Sequence, residues 1–138
     1  MKINKEYIKN LLELFELAPT VDVNISYLSL SGIDYNTDEF VFHMRILQDG
    51  GFVVRSDNRS GFGLVEGADG YRSWGVVPLR LTSNGHDFIE ALRQKEVWEA
   101  VKSNFKDASL TTLADVAKQL AAGFAKKKVK DITGIDLN

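Results

Sequence analysis

The sequence predicts an α+β fold, in which a β-hairpin lies between helices of a single domain. Apolar residues recur at helical spacing towards both ends of the chain, and apolar and polar residues alternate at strand spacing near the middle. Between these regions, Val76–Leu92 runs from a strand pattern directly into a helix pattern. At 138 residues the chain is long enough to bury a sizeable core, and one domain is the default at this length.

The segment Val76–Leu92 is the part of the chain around which the other elements are arranged. Its first half alternates apolar residues with other residues up to Leu81, which is typical of a half-buried strand. Thr82 or Ser83 then follows, and either hydroxyl can accept a hydrogen bond from the first turn of a helix. The helix that we predict next presents an apolar stripe around Phe88.

Two elements are predicted at the start of the chain. Residues near Asn4 to Leu17 have the broad apolar face of a helix, and Pro19 ends this helix because proline pushes the preceding residue out of the helical region. The stretch Val21–Leu30 alternates apolar and polar residues, so we predict a strand there. The loop at residues 31–36 then leaves almost no room for a further helix.

A second helix is predicted from Thr37, as its N-cap, to about Asp49, where Gly50 and Gly51 end it. A strand begins at Phe52. Residues 56–73 are predicted to be a long polar loop with four glycines, and residues 74–81 are predicted to be the returning strand. The pair is therefore predicted to be a hairpin with an unusually long tip, and loops of this length are commonly functional or mobile.

Further helices follow the hairpin. After the helix that begins near Ser83, a second is predicted from Lys95 to Phe105, and a third begins between Ser109 and Thr112. A run of lysines lies near its end, at Lys126, Lys127, Lys128 and Lys130. We predict one domain over residues 1–130 and a flexible tail at residues 131–138.

Two segments carry a resemblance to known families. The segment Phe42–Val53, a helix that runs through glycine into a strand, resembles the recognition-helix-to-wing segment of winged-helix regulators. Leu81–Leu92, with Val97–Lys102 after it, is similar to an uncharacterised family of bacterial and prophage proteins with a Leu-Thr-x-x-Gly-His-Asp-Phe signature and a Val-Trp helix. The resemblance implies an α+β, winged-helix-like domain with a long-tipped β-hairpin wing, additional C-terminal helices and a phage-associated setting. It implies no activity.

Composition excludes several classes of protein. The chain has no cysteine, so it has no disulfides, no thiolate zinc site and no thiol nucleophile. No segment approaches the length of a membrane span and the first residues lack a signal peptide, so we expect a cytoplasmic protein that does not enter a membrane. The net charge of −2 is unlike that of a sequence-independent nucleic-acid binder, so any nucleic-acid role needs a local basic patch.

No catalytic, metal or cofactor residue is predicted. His86 and Asp87 are neighbours on a helix and do not face each other, so Asp87 is favoured as a helix-end charge. His43 lies beside the apolar face of its helix and is favoured as a core histidine. The glycines at residues 61–67 fit neither a dinucleotide fingerprint nor a P-loop, so a flexible hairpin tip is favoured. We therefore expect a non-enzyme without a cofactor.

The hairpin and the helix before it contain the candidate binding residues. They combine arginines, which bind phosphates, with aromatic rings, which stack on bases: Arg45, Arg55, Arg59, Phe62, Tyr71, Arg72 and Trp74. Arginine, tyrosine and tryptophan are also the residue types of hot spots in protein interfaces. We expect Arg55, Arg59 and Arg72 to be exposed.

Two functions stay open at this stage. The first is a non-enzymatic phage or prophage regulator that binds duplex DNA, and the second is an adaptor or inhibitor that binds a protein partner of a host or phage machine. The helix from Asp38 to Asp49 is largely acidic where it is polar, which opposes DNA binding through that helix. Phe42, Ile46 and the stripe from Leu113 to Phe124 exceed what one small core needs, which favours a homodimer.

Overall fold

The structure is a computed structural model that describes residues 1–135, and it has an α+β fold. These residues form six helices and four short strands: α1 Lys5–Leu17, α2 Ile25–Leu30, α3 Asp38–Asp49, β1 Val53–Arg55, β2 Leu64–Glu66, β3 Arg72–Trp74, β4 Leu79–Leu81, α4 Ser83–Leu92, α5 Lys95–Ser103 and α6 Leu110–Thr133. The chain divides into two compact units, Met1–His86 and Asp87–Asn138.

The strands of the first unit pair as two separate antiparallel hairpins. The long hairpin pairs β1 with β4, with Val53 opposite Leu81, and β2 pairs with β3 within its tip, with Leu64 opposite Trp74. The prediction of a long polar loop over residues 56–73 was therefore wrong in part, since this segment contains β2 and the start of β3. The returning strand is also shorter than predicted, because β4 covers only Leu79–Leu81.

The first helices begin where local capping groups place them. Asn4 caps α1 and Thr37 caps α3, each by accepting a backbone N–H three residues later, at 3.0 and 3.1 Å. After α3, Gly51 takes a positive φ of 74°, which lets the chain turn directly into β1. Both helices and the turn agree with the predictions from the sequence.

The predicted strand over Val21–Leu30 was wrong. Asn24 caps a short helix there, since its Oδ1 accepts the Tyr27 N–H at 3.0 Å, and α2 then runs from Ile25 to Leu30. What remains of the strand is Val23, which forms an antiparallel bridge with Leu79. A helix therefore does lie before α3, although the sequence suggested that residues 31–36 left no room for one.

The core of the first unit is apolar and includes one histidine. Its α1, α2 and α3 each contribute buried side chains, and α1 contacts β4 while α3 contacts β1. The fully buried large side chains of this unit are Ile8, Leu11, Leu12, Leu28, Phe40, His43, Met44, Leu47 and Leu79.

The second unit has buried residues on each of its helices. Phe88, Ile89 and Leu92 of α4 are buried, as the predicted stripe requires. On α5, Val97 and Val101 are buried, but Trp98 is only half-buried. α6 continues to Thr133, with Gly134 at a positive φ as its C-cap, so residues 131–133 of the predicted tail are helical. Residues 136–138 of that tail lie outside the described residues.

Candidate interaction surface

The β2–β3 hairpin lies on α3 through one of its two faces. Side chains alternate between the faces of a hairpin, and the cross-strand pairs Leu64–Trp74 and Glu66–Arg72 point the same way. Three of these four side chains form hydrogen bonds with this part of the chain: Glu66 and Arg72 with α3, and Trp74 with the loop before it. Gln48 of α3 also donates to the Gly61 carbonyl at 2.5 Å, just before the hairpin. The tip of the predicted wing therefore folds back over the predicted recognition helix.

Aromatic rings form the apolar part of this contact. Trp74 packs edge-on against Tyr35 at 4.9 Å and against Phe40 at 6.0 Å between ring centroids, and its Nε1 donates to Asn36 Oδ1 at 3.1 Å. Phe62 lies 6.1 Å from Trp74 and is 4% exposed. Two of the predicted stacking residues, Phe62 and Trp74, therefore pack against other rings of the chain and do not offer a free face for a base.

Two ion pairs join the hairpin to α3 beside the aromatic rings. In one the hairpin supplies the arginine, and in the other it supplies the carboxylate. Arg72 of β3 binds Asp38 at the start of α3 at 2.5 Å, and Glu66 of β2 binds Arg45 two turns further along α3 at 3.2 Å. Glu66 and Arg72 are themselves cross-strand partners. Each pair is partly exposed and contributes at most about 1 kcal/mol, but together they fix the register of the hairpin on the helix.

The third arginine, Arg55, is held by its own loop. Its guanidinium binds Asp57 through two parallel hydrogen bonds of 2.9 and 2.7 Å and donates to the Ser60 carbonyl at 3.2 Å. The hydrogen bond to Asp57 raises the pKa of Arg55, and the same bond holds the pKa of Asp57 below its usual value. The prediction that Arg55 and Arg72 are exposed was therefore wrong, because both are half-buried by their pairing.

Three of the seven predicted residues are exposed: Arg59, Tyr71 and Arg45, of which Arg45 is paired with Glu66. Tyr71 is 77% exposed at the end of the hairpin, and its backbone N–H binds Asp69 at 3.1 Å. Val65, which is 60% exposed and points away from α3, shares the outer face of the hairpin with Ser73. Val65 was missed from the sequence, although the alternation in Leu64-Val65-Glu66 is the signal that places it opposite the inner face.

His43 is buried, as predicted, and ties α3 to the start of α1. Its Nδ1 lies 2.6 Å from the Glu39 carbonyl and its Nε2 lies 2.9 Å from the Asn4 N–H. Since the carbonyl accepts and the N–H donates, the ring is neutral with its proton on Nδ1. Burial lowers the pKa of His43. The neighbouring Tyr7 ring, 4.7 Å away, has its pKa raised by burial to about 12.

Within residues 1–135, no group of three or more histidine, aspartate or glutamate side chains is placed to hold a metal ion. His86 and Asp87 are both exposed. Over the same residues, no helix combines the length and the apolar composition needed to cross a bilayer.

Thr82 and Gly85, at the start of α4, have structural roles in this chain. The Thr82 hydroxyl donates to the Gly51 carbonyl at 2.5 Å and accepts the Gly85 N–H at 3.1 Å, so it caps α4 and holds the turn after α3. A Cβ on Gly85 would lie 2.2 Å from the Phe52 carbonyl oxygen. Threonine is thus needed at residue 82 for its two hydrogen bonds, and glycine is needed at residue 85 because a side chain would not fit.

Comparison with known proteins gives a family but no activity. A family model described as a hypothetical protein, DUF2513, matches residues 2–111. An uncharacterised protein of Haemophilus influenzae is 24% identical over 121 residues, which cover 88% of this chain and 92% of that protein. No solved structure matches significantly. Because the family model covers most of the chain, from α1 to the start of α6, the protein belongs to the DUF2513 family.

Proposed function

We propose that this protein is a non-enzymatic protein-binding module, an adaptor or inhibitor, and that it does not act by binding DNA. The observation that carries this proposal is the pairing of Arg45, Arg55 and Arg72 with carboxylates of the same chain. A phosphate would have to displace a carboxylate from each guanidinium before it could bind there. Counterion release from DNA would then be offset by the loss of three internal ion pairs.

We also propose that the first unit is winged-helix-like. The order α1, Val23 bridge, α2, α3, β1 and β4 supports this proposal, because it is the helix, strand, helix, helix, hairpin order of that fold. In such a domain, α3 takes the place of the recognition helix. Here the β2–β3 hairpin covers one side of α3, and the face left open carries Glu39 and Asp49, whose carboxylates would be repelled by DNA phosphates.

The outer face of the β2–β3 hairpin is the surface that we propose for a protein partner. Val65 and Tyr71 expose apolar and aromatic surface there, and hydrogen bonds and ion pairs from the inner face attach the hairpin to α3 and to the loop before it. A rigid aromatic side chain on a held element loses little entropy on binding, which is why tyrosine is common at hot spots. An inhibitor of a cytoplasmic host machine would fit the phage-associated setting that the signature implies.

DNA binding is tested by titrating the full chain into mixed-sequence duplex at low and at physiological salt. We expect no measurable affinity at physiological salt. Binding that falls steeply with salt, and that weakens when Arg45, Arg55 and Arg72 are replaced by alanine, would instead support a DNA-associated regulator.

Partner binding is tested by cross-linking capture from bacterial cells with a matched pair of variants. Val65→Ser/Tyr71→Ser removes the apolar and aromatic side chains of the outer face, whereas Val21→Ser/Leu30→Ser removes two apolar side chains that are even more exposed, elsewhere in the same unit. We expect the protein and the second variant to retain one specific partner and the first variant to lose it. Equal capture by both variants would place the binding surface elsewhere.

A further inference from the structure

The second half of α6 carries no buried side chain in the described part of the chain. The helix has 24 residues, but its buried residues, Leu110, Leu113, Ala114 and Ala117, all lie in its first eight. Beyond them Phe124 is 39% exposed and Ile132 is 72% exposed. Phe124 continues the stripe of Leu113 and Ala117 at helical spacing, so the apolar face extends past the packed part of the helix.

This second half of α6 is also strongly basic. Lys126, Lys127, Lys128 and Lys130 are exposed, and Lys127 and Lys128 lie one turn beyond Phe124, on either side of its stripe. An isolated helix of about 15 residues is marginally stable in water, so a surface that covers Phe124 would stabilise it. A surface complementary to this helix would therefore present an apolar patch to Phe124 and carboxylates to the lysines around it.

A patch with that chemistry lies on α3, beside the side that the hairpin covers. Glu39, Phe42, Ile46 and Asp49 follow one another at spacings of three, four and three residues, so they share one face of the helix. The two carboxylates are exposed, and Phe42 and Ile46 are half-exposed between them. The acidic ends are about 15 Å apart, which is the length of ten residues of helix.

We propose that the second half of α6 docks on the Glu39–Asp49 face of α3 in a second copy of this chain. Lysines would then meet carboxylates while Phe124 covers Phe42 and Ile46. The charges favour this arrangement over the symmetric alternatives, because pairing α6 with α6 would bring lysines together and pairing α3 with α3 would bring carboxylates together. This contact uses neither Val65 nor Tyr71, so it stands apart from the partner surface proposed above.

The first experiment measures the self-association of the full chain by sedimentation velocity between about 1 and 200 µM, a range typical of moderate interfaces. Two variants each remove one side of the contact: Phe42→Glu/Ile46→Glu on α3, and Lys126→Glu/Lys127→Glu/Lys128→Glu on α6. We expect the unaltered chain to associate, less strongly at high salt, and each variant to associate at least about tenfold more weakly. Circular dichroism checks that both variants are folded.

The deciding experiment mixes the two variants. The α3 variant retains an intact α6 and the α6 variant retains an intact α3 face, so the mixture can form one complete contact and should associate more strongly than either variant does alone. A third variant, Glu39→Lys/Asp49→Lys, should associate with the α6 variant by exchange of charges and not with itself.

Three results would overturn the proposal. These are an unaltered chain that stays monomeric over the whole concentration range, a mixture that associates no more strongly than its components, and a variant that alone associates as strongly as the unaltered chain, as a symmetric contact predicts.

Discussion

At the scale of single residues, Gly85 is a glycine whose role is in packing and not in chemistry. It lies in the first turn of α4, and its missing side chain lets the Phe52 carbonyl approach closely. Alanine ordinarily stabilises a helix relative to glycine by about 1 kcal/mol. Here the added Cβ meets backbone, which cannot move aside as a flexible side chain would.

We expect Gly85→Ala to lower the free energy of unfolding by about 1–3 kcal/mol, as other overpacked sites do. Gly123→Ala is the matched control, because Gly123 also lies in a helix but has open space around it. This control should leave stability unchanged or raise it by up to about 1 kcal/mol. Urea unfolding followed by tryptophan fluorescence measures both, and equal effects of the two substitutions would contradict the packing role of Gly85.

His43 makes the stability of the first unit dependent on pH. Its pKa is lowered from 6.5 in the folded protein, chiefly by burial, so the unfolded chain binds the proton more tightly. The contribution of neutral His43 to stability is therefore complete above about pH 6.5 and is lost as pH falls through the lowered folded pKa. Protonation would also put a second donor against the Asn4 N–H and break that hydrogen bond.

We expect the free energy of unfolding to fall between pH 7 and pH 5, and His43→Gln to flatten this part of the profile while lowering stability at pH 7. His86→Gln, which removes the exposed histidine, is the control. Urea titrations at several pH values provide the measurement. A slope in the His43 variant as steep as in the unaltered protein would assign the pH dependence to other groups.

At the scale of elements, local capping explains which predictions from the sequence were confirmed. The bounds of α1 and α3 could be predicted because Asn4 and Thr37 cap apolar stripes of three or more turns. The strand predicted at Val21–Leu30 failed because Val23, Ile25 and Tyr27 fit a two-residue period, while Ile25 and Leu28 also fit one helical turn. Asn24 decides between them by capping the helix, and a six-residue helix has too little periodicity for the sequence to reveal it.

The sequence predicted which types of residue the candidate site contains, but it did not predict which residues contact one another there. The sequence placed arginines and aromatic rings in one hairpin, but their partners, Asn36 and Asp38, lie more than 30 residues away along the chain. No local pattern indicates that the hairpin tip folds back onto α3. The sequence therefore predicted that Trp74 stacks on a base, whereas in the structure it packs against Tyr35 and Phe40. The exposed face of the hairpin is the other one, which carries Val65.

The docking of the β2–β3 hairpin on α3 depends on Trp74, whereas Tyr71 of the same hairpin points into solvent. We expect Trp74→Ala to cost about 3 kcal/mol, towards the low end for a large aromatic residue because Trp74 is half-buried. Tyr71→Ala should cost less than about 0.5 kcal/mol. Hydrogen exchange should show faster exchange over residues 63–75 in the Trp74 variant. Unchanged exchange there would mean that the hairpin is held by its ion pairs alone.

At the scale of the whole molecule, α6 separates a packed segment from an exposed one within a single helix. The family model ends at residue 111, just after the helix begins, so most of α6 lies beyond the matched region. The chain is acidic overall, with a net charge of −2, yet the exposed end of α6 concentrates four lysines within five residues. A segment that contributes no buried residue to its own fold is free to serve contacts with other molecules.

A variant truncated after Gly123 tests whether only the first part of α6 supports the fold. The shortened chain keeps all the buried residues of α6 and loses Phe124 and the lysines, so we expect its free energy of unfolding at low protein concentration to change by less than about 0.5 kcal/mol. Leu113→Ala, which opens a cavity in the packed segment, should cost about 2–5 kcal/mol. Urea unfolding at about 1 µM keeps association from contributing to the measured stability. A large loss of stability on shortening would mean that the exposed half of α6 supports the fold of its own chain, and its lysines would then have no separate surface to offer a second copy.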